Sequence, residues 1–520
     1  MKINDITEDQ IEIARNIYWD RSKSWDERMK ELIQFFGVSE RTTRRWCVKL
    51  GFKENNFTDN SEQYKEAQNK VIDKSKKYYF ITWAQNNTPI FFPFFKKLQA
   101  YASFHNAEII VIAGRYSNKM ETLKKDTKES WADELIPYLS ATSHNLNNNV
   151  KVMSHIKVSA TSSNPLMGLE GLTSTESIII GHPRLHLKVM PVIDPMKPKM
   201  LFTTGACTKE NYTDSLLGAK GDFNHTFGFC VVEVKDKDMF FVRQVSADSK
   251  TGEFTDLYYH VNDKGVSRIN QIDGIVLGDL HVGEHNPVVI DKTLNILLKK
   301  LTPKAIVCHD SFSALSINPH ELKDPFILAK REKDGTNSLK DEINNMLNFF
   351  EKIKQYNVII VRSNHDDMLD RFLKTDWRSG STMKNSEEYM KFSLLTLTGK
   401  AKNGIIPYVI NERFPNFKCL SRDDSYKIGN FEISQHGDLV YNNVKGGIEQ
   451  FRKLNQKYII GHSHTPSRRD GALSVGTSTF LKLSYTSGLT NWANSHVIIS
   501  NGKAQHIIFV GENAEFTTFE

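Results

Sequence analysis

The sequence is poor in cysteine and contains no long apolar run. Its five cysteines, among 520 residues, are scattered and form no CxxC pair, so neither a disulfide framework nor a thiolate zinc site is indicated. No stretch approaches the roughly 18 apolar residues that span a bilayer, and the acidic, polar start MKINDITEDQ is unlike a signal peptide. These absences predict a protein of the reducing cytoplasm with no membrane partner.

The composition is that of a folded chain with more than one core. A hydrophobic share of 39% and an aromatic share of 11% exclude wholesale disorder. The length predicts about three domains, because ordinary domains contain roughly 100–200 residues. A net charge of +7 permits a polyanionic partner but is small for this length, so charge alone does not identify one.

Changes in residue pattern divide the chain into four predicted segments. Residues 1–53 are predicted to be a helix-turn-helix, and residues 54–77 a polar linker or exposed helix. Residues 78–268 are predicted to be an accessory α/β plus β domain that opens with a β-α-β unit over 78–116. The remaining segment, 269–520, contains the residues that indicate chemistry.

The helix-turn-helix is predicted from apolar spacing around a glycine. Gly37 ends one amphipathic helix, and Ser39 is a suitable N-cap for the next. The inward positions of that second helix are predicted to be Val38, Thr42, Trp46 and Leu50. Its basic side chains are the predicted DNA contacts, namely Arg41, Arg44, Arg45 and Lys49. Such a helix enters a major groove or follows phosphates; the alternative is a small helical cap with a solvated basic face.

Metal-binding side chains follow five apolar, strand-like segments of the C-terminal half. In chain order they are Asp279 and His281, then His309 and Asp310, then Asn364, His365 and Asp366, then His436, and finally His462 and His464. The carboxyl ends of strands are where α/β folds build their sites. Each motif alone is common, but the ordered set, with every member ending an apolar segment, indicates a metal site.

The types of side chain in this set restrict the chemistry. Carboxylate, amide and imidazole groups without a thiolate make a mixed oxygen and nitrogen site that suits manganese, iron or zinc. Two such ions about 3.5–4 Å apart activate a water molecule and bind the oxygens of a phosphoryl group during in-line attack. A phosphoester is therefore the predicted substrate.

The motifs over about residues 270–520 resemble the signature of the calcineurin-like metallophosphoesterases. The resemblance implies a four-layered α/β/β/α sandwich with two divalent ions at the strand ends, manganese first and iron, zinc or magnesium as alternatives. It implies three ligands for one ion, three for the other and one bridging carboxylate; these are Asp279, His281 and His464, then Asn364, His436 and His462, then Asp310. It also implies that His365 donates a proton to the leaving oxygen and that Asp366 orients this imidazole.

The chain departs from the family pattern at two places. His309-Asp310-Ser311 stands where the family has Gly-Asp, and Ser363-Asn364-His365 stands where it has Gly-Asn-His. The residue types that would bind metal are the same as in the family. Because the two glycines are missing, the backbone turns beside these residues should differ from those of the family. His309 is either a further ligand or substrate contact, or a packing residue.

A DNA substrate is predicted from what surrounds the motifs. The Asp-Arg-Gly sequence of protein phosphatases is absent, and about half of the chain is additional to a catalytic sandwich. Basic residues near the motifs could neutralise flanking phosphates; they are Arg362, Arg468, Arg469, Lys482 and Lys503. The layout is similar to SbcD-type nucleases and to nucleases that tailed bacteriophages make to degrade host DNA. That likeness implies a manganese-dependent DNase in the cytoplasm of a bacterial host.

Two other functions stay open on the sequence. One is a phosphodiesterase for small molecules or cyclic nucleotides. The other is a DNA-binding regulator or scaffold whose phosphoesterase module is inactive, although a full set of ligand types speaks against this. Nucleases of this kind often act as dimers or larger assemblies, so a homo-oligomer of unknown order also stays open, as do the cutting mode and the role of residues 78–268.

Overall fold

The computed structural model describes residues 3, 6–20, 23, 25–50, 52, 63–116, 130–376, 380–454, 456–483, 486 and 488–517. Residues 54–62 of the predicted linker lie outside this set, as do residues 1, 2, 4, 5, 21, 22, 24, 51 and 53 of the predicted helix-turn-helix. The chain forms two compact units, residues 1–185, 202–254 and 260–267, and residues 186–201, 255–259 and 268–520.

The described residues form a mixed α/β fold with several sheets. The α-helices are α1 (Glu8–Trp19), α2 (Trp25–Phe36), α3 (Glu40–Lys49), α4 (Gln63–Gln68), α5 (Phe92–Phe104), α6 (Leu216–Asn224), α7 (Pro287–Lys292), α8 (Leu298–Leu301), α9 (Pro325–Asp334), α10 (Leu339–Glu351), α11 (Asn364–Phe372), α12 (Ser386–Leu397), α13 (Ile405–Arg413) and α14 (Ile448–Arg452). Short 3₁₀ helices lie at Asp133–Tyr138, Glu170–Thr173, Leu315–Ile317 and Gly380–Asn385, and a π-helical turn at Thr293–Leu297.

The strands of the N-terminal half are β1 (Tyr78–Gln85), β2 (Glu108–Gly114), β3 (Leu139–Ser140), β4 (Ser143–Asn145), β5 (Val150–Met153), β6 (Ser177–Ile180), β7 (His186–Met190), β8 (Lys199–Thr203), β9 (Gly228–Val234), β10 (Phe240–Ser246), β11 (Phe254–Asp256), β12 (Tyr259–Asn262) and β13 (Gly265–Arg268). Those of the C-terminal half are β14 (Gly274–Val276), β15 (Ile306–Cys308), β16 (Val358–Val361), β17 (Lys418–Leu420), β18 (Lys427–Ile428), β19 (Phe431–Glu432), β20 (Lys457–Ile460), β21 (Ser467–Arg469), β22 (Ala472–Ser474), β23 (Ser495–Ser500) and β24 (Lys503–Ile508).

The first unit begins with three helices, α1 to α3, around a small aromatic core. Gly37 adopts a φ of +64° between α2 and α3, and the Ser39 hydroxyl accepts a hydrogen bond from the backbone N–H of Thr42. Of the predicted inward positions, Trp46 is buried and Val38 and Leu50 pack against the same core, as predicted. Thr42 is half-buried, whereas the next residue, Thr43, is fully buried. Trp46 packs against Phe36 with its ring centroids 5.4 Å apart.

The first unit also contains a five-stranded sheet in the order β10-β9-β1-β2-β3. β1 and β2 are parallel, and α5 connects them, so the predicted β-α-β unit is confirmed. The β1 side chains are all buried, which is typical of a strand covered on both faces.

The second unit contains a six-stranded sheet in the order β17-β16-β15-β14-β23-β24. Neighbours from β14 to β17 are parallel, and β23 pairs antiparallel with β14. Parallel strands present their carboxyl ends at one edge of a sheet, so the residues that follow β14, β15 and β16 emerge side by side.

A second sheet in this unit contains, in order, β18, β19, β20, β22, β21 and β7. β19 and β20 are parallel, so their carboxyl ends also lie at one edge. β7 joins through pairing of Leu187 with Arg468 and of His186 with Arg469. That pairing explains why residues 186–201 belong to the second compact unit.

Alternating side chains of the six-stranded sheet serve two cores. Val276, Val307 and Ile359 pack in one cluster with residues of the second sheet such as Ile459 and Leu473. The intervening residues, including Ile275, Ile306 and Ile360, pack against helices such as α10 and α13. On the second sheet, Tyr458 and Ile460 contact Phe451 of α14. Because successive side chains of a strand point to opposite faces, each strand packs into two cores. This packing fixes the strands and the residues that follow their ends.

Candidate metal centre

Asp310 lies at the centre of the predicted ligands. Its Oδ2 atom is 3.1 Å from Nε2 of His436 and 3.4 Å from Nε2 of His281. All three side chains are buried. A single carboxylate oxygen therefore faces an imidazole on each side, as a bridging ligand would.

On one side of Asp310, His281, His464 and Asp279 close a compact group. The Nε2 atoms of His281 and His464 are 3.0 Å apart, and Nε2 of His464 is 3.3 Å from Oδ2 of Asp279. One ligand atom from each of these residues and Asp310 lies within 4.8 Å of all the others, an arrangement that could hold a metal ion.

On the other side of Asp310, Asn364 brings two imidazoles together. Its Oδ1 atom is 3.1 Å from Nε2 of His436 and 3.2 Å from Nδ1 of His462. An amide oxygen and two ring nitrogens form the second set that the sequence indicates. The structure thus joins all seven predicted ligands through contacts of 3.4 Å or less.

The backbone at four of these residues adopts left-handed conformations. The φ angles are +39° at His281, +45° at Asp310, +70° at His462 and +55° at His464. Non-glycine residues rarely adopt such angles, which cost of order 1–3 kcal/mol each and cluster at functional sites. The sharp turns follow directly from the strand ends and redirect the side chains into one small volume.

Gly461 provides the space in which this convergence occurs. A Cβ atom at this position would lie 2.3 Å from Oδ1 of Asp279 and 3.2 Å from Cβ of His309. Real Cβ atoms essentially never approach so closely, so a larger residue at 461 would displace the Asp279 carboxylate. The glycine therefore belongs to the site although it offers no ligand.

Burial and mutual charge shift the titration of the acidic groups strongly. Burial raises the pKa of the Asp279 carboxyl to about 8. Burial also acts against ionisation of Asp310, but the neighbouring imidazoles, His436 first, hold its pKa well below the usual range. Two carboxylates in one dry pocket are thus difficult to keep ionised without positive charge close to both.

The imidazoles shift in opposite directions. Burial lowers the pKa of His464 to about 3 and that of His281 well below its usual value, which favours the neutral form that binds metal ions. Burial would also lower the pKa of His436, but the Asp310 carboxylate outweighs it and raises that pKa to about 9. A cation beside Asp310 would take the place of that proton.

The unsatisfied atoms of the pocket fit a cation. Both carboxylate oxygens of Asp279 and Oδ1 of Asp310 are buried and accept no hydrogen bond. Buried polar atoms without partners are rare in folded proteins and call for an explanation such as an ion. The donor set of oxygens and imidazole nitrogens, with no thiolate, matches manganese, iron or zinc.

His365 lies against the first ligand group. Its ring centroid is 4.6 Å from that of His281, and its Nδ1 atom is 2.7 Å from the backbone carbonyl oxygen of Ser313. Because a carbonyl only accepts hydrogen bonds, Nδ1 carries the proton and Nε2 is directed elsewhere. Ser313 was not singled out by the sequence, since a carbonyl contact leaves no signature in side-chain identity.

Asp366 does not orient His365 as predicted. Its Oδ2 atom accepts a hydrogen bond from the backbone N–H of Ser363, and its own N–H donates to the Ser363 hydroxyl. This reciprocal capping box begins α11 and places Ser363 at the N-cap. Asp366 therefore holds the start of the helix that carries Asn364 and His365.

His309 lies behind His436. It is fully buried, and its Nδ1 atom is 3.4 Å from Nδ1 of His436, on the ring edge opposite Asp310. Burial lowers the pKa of His309 to about 3. Of the two readings that the sequence left open, the structure favours a neutral imidazole that packs on a candidate ligand over a further ligand.

The predicted DNA contacts on α3 differ in their surroundings. Arg41 and Arg45 are exposed, whereas Arg44 pairs with Glu40 on the same helix and with Asp214. The side chain of Lys49 lies outside the described residues. Among the described side chains of this set, Arg41 and Arg45 are therefore the exposed ones.

Three of the basic residues predicted to face flanking phosphates are engaged within the protein. Arg468 and Arg469 are buried, and Arg469 donates to Glu449 and to the carbonyl of Leu187. Arg362 pairs with Asp367 and Asp370. The burial of Arg468 and Arg469 and the ion pairs of Arg362 speak against a phosphate contact at these positions, and the strand pairing and ion pairs behind this could not be seen in the sequence.

Comparison with known proteins shows a similarity to a bacteriophage protein. The chain is similar to Protein A1 of Escherichia phage T5, with 27% identity over 468 residues that cover 85% of this chain and 83% of Protein A1. No protein-family model matches the sequence, and no solved structure matches it. Among the described residues, no helix has both the length and the apolar character needed to cross a bilayer.

Proposed function

We propose that this chain is a metal-dependent phosphodiesterase that hydrolyses the DNA backbone. The observation that carries the proposal is the position of Asp310, whose single Oδ2 atom faces His281 on one side and His436 on the other. A carboxylate between two sets of oxygen and nitrogen ligands is the arrangement expected of a two-ion phosphoesterase.

Each half of the site would hold one divalent cation. Asp279, His281 and His464 would bind one ion, Asn364, His436 and His462 the other, and Asp310 both. Such ions supply a nucleophilic water at neutral pH and stabilise charge on the phosphoryl oxygens. Manganese is the proposed ion because the donor set combines carboxylate and amide oxygens with imidazoles and has no thiolate, and iron and zinc are the alternatives.

His365 is the proposed general acid. Its Nδ1 proton is held by the Ser313 carbonyl, so the proton that it gives up leaves from Nε2. After donation the ring is neutral and keeps its hydrogen bond to Ser313, so it need not rotate. The protein thereby stabilises the departing oxygen without moving a ligand.

The layers of the second unit support assignment to the calcineurin-like metallophosphoesterases. Helices cover one face of the six-stranded sheet, the second sheet packs on the other face, and α14 covers the second sheet. This order corresponds to a four-layered α/β/β/α sandwich with its ligands at the strand ends. The left-handed turns at the ligands agree with the same assignment.

A DNA substrate and a phage origin rest on two further observations. The three-helix head carries the exposed Arg41 and Arg45 on α3, the second helix of the proposed helix-turn-helix. The similarity to a protein of Escherichia phage T5 supports a phage-encoded protein. Together these features favour a nuclease with weak sequence preference over a diesterase for small molecules.

The test is cleavage of plasmid DNA by EDTA-treated protein with and without added Mn²⁺, beside an Asp310→Ala variant. Manganese-dependent cleavage that the variant loses would support the proposal. Hydrolysis of bis-p-nitrophenyl phosphate or a cyclic nucleotide without DNA cleavage would indicate a small-molecule diesterase. Metal-independent DNA binding without hydrolysis would indicate a regulator and overturn the proposal.

A further inference from the structure

We propose that Arg422 is a positioning residue that holds the Asn364 and His436 half of the metal centre together. The inference rests on the proposed function, because it concerns how strongly one of two metal sites binds its ion. Arg422 follows β17, and neither its identity nor its surroundings belong to the motifs in the sequence.

One edge of the Arg422 guanidinium binds Asp438 with two parallel hydrogen bonds. Nη1 donates to Oδ1 at 2.6 Å, and Nη2 donates to Oδ2 at 2.9 Å. Asp438 is buried and lies two residues after His436, beyond Gly437 with its φ of +109°. This fork-to-fork geometry fixes the segment that presents His436 in both distance and angle.

The same guanidinium also binds the helix that carries Asn364. Nη2 of Arg422 donates to Oδ2 of Asp367 at 2.8 Å, and Nε of Arg362 donates to the other oxygen, Oδ1, at 2.8 Å. Asp367 lies three residues after Asn364 in α11. Because Arg362 immediately precedes the capping residue Ser363, the helix start is held from both sides.

Arg422 is therefore the link between two segments that no sheet pairing joins directly. β16 leads into α11, whereas His436 follows β19 in the second sheet. Their ligand atoms, Oδ1 of Asn364 and Nε2 of His436, nevertheless lie 3.1 Å apart. Partners outside the ligand set typically change metal affinity by about 10–100-fold.

The geometry favours this role over direct contact with substrate phosphate. Both Nη atoms of Arg422 already donate to carboxylates, and about a quarter of the side chain is exposed. Asp367, Asp370 and Asp438 outnumber the two arginines in the network, so no net positive charge is left for a phosphate. A lysine could preserve the charge but not the three directed hydrogen bonds.

The test measures Mn²⁺ binding by calorimetry on EDTA-treated, full-length protein and its Arg422→Lys variant. The wild type should bind two ions. In the variant, one site should weaken by about 10–100-fold while the other keeps its affinity. The kcat for bis-p-nitrophenyl phosphate should fall at low Mn²⁺ and recover at high Mn²⁺, with KM unchanged.

Two further variants keep the result decisive. Arg413→Lys alters an exposed arginine that pairs with Glu351 on the surface and should bind both ions as the wild type does. If Arg422→Lys fails to fold, Asp438→Asn removes one carboxylate of the network with little change in shape and should weaken the same single site.

Unchanged affinity at both sites, equal weakening of both sites, or a higher KM at saturating Mn²⁺ would overturn the role of Arg422. A wild type that binds two ions but does not cut DNA would remove the proposed function and leave this metal titration decisive. A wild type that binds fewer than two ions would overturn both.

Discussion

The carboxylate oxygen Oδ2 of Asp310 lies 3.1 Å from Nε2 of His436, and both residues are buried. A charged pair in a dry pocket gains from its mutual attraction but pays a large desolvation cost. Nε2 of His436 also lies 3.1 Å from Oδ1 of Asn364. His436 therefore connects Asp310 to the second proposed set of ligands.

His436→Ala should lose most of the bound metal and nearly all turnover. The substitution removes the imidazole shared by Asp310 and Asn364 and leaves the Asp310 carboxylate buried without that partner. Metal content by elemental analysis and DNA cleavage measure the effect. His320→Ala, at an exposed histidine, is the matched control; unaltered metal content in His436→Ala would contradict the ligand assignment.

His365→Ala should keep both ions but lower the rate of DNA cleavage by about 10²–10⁴, the usual range for loss of a general acid. The defect should shrink for bis-p-nitrophenyl phosphate, because its leaving group departs without a proton. Single-turnover rates on the two substrates, with metal content beside them, test this. An equal defect on both substrates, or missing metal, would refute the role of His365 as a proton donor.

Gly461→Ala should weaken metal binding and cost about 1–3 kcal/mol of unfolding free energy, as overpacking in a core does. The new Cβ atom would meet Oδ1 of the fully buried Asp279 and displace this carboxylate from the other proposed ligands. Gly171→Ala is the control, because a Cβ atom there has no neighbour within 4 Å. Denaturant unfolding and Mn²⁺ titration of both variants decide the prediction, which fails if the two behave alike.

Replacement of Arg41 and Arg45 by alanine should weaken DNA binding and reduce its dependence on salt. Each lost phosphate contact lowers the slope of log Kobs against log salt by about 0.9, so the double variant should lose about 1.8. Arg44→Ala should change the slope less, since Arg44 already pairs with Glu40 and Asp214. Fluorescence anisotropy over a range of salt concentrations measures both; an unchanged slope in the double variant would remove the helix-turn-helix from DNA binding.

The convergence of the proposed ligands could be predicted from the sequence because each ligand follows an apolar, strand-like segment. A short run of β-branched residues such as Val358–Val361 favours a buried strand, and the carboxyl ends of neighbouring parallel strands lie at one edge of their sheet. Asp310 could therefore be placed near Asp279 without knowledge of the side-chain distances.

The contacts around the ligands could not be predicted in the same way. The family resemblance implied that Asp366 orients His365, but successive residues of a helix point about 100° apart, and Asp366 faces the helix start instead. The pairing of Arg422 with Asp367 and Asp438 links positions 55 and 16 residues away, and no local pattern records such contacts. On α3, Thr43 is fully buried where Thr42 was predicted to be, because two adjacent threonines look alike in the apolar pattern.

The left-handed backbone at His281, Asp310, His462 and His464 lowers the stability of the fold in order to place these side chains at the proposed metal site. Glycine would relax each turn, but it would delete a proposed metal ligand. A copy of this chain released from the need to bind ions would become more stable by accepting glycines there. Binding of a cation at the proposed site would therefore have to offset the backbone strain at these four residues.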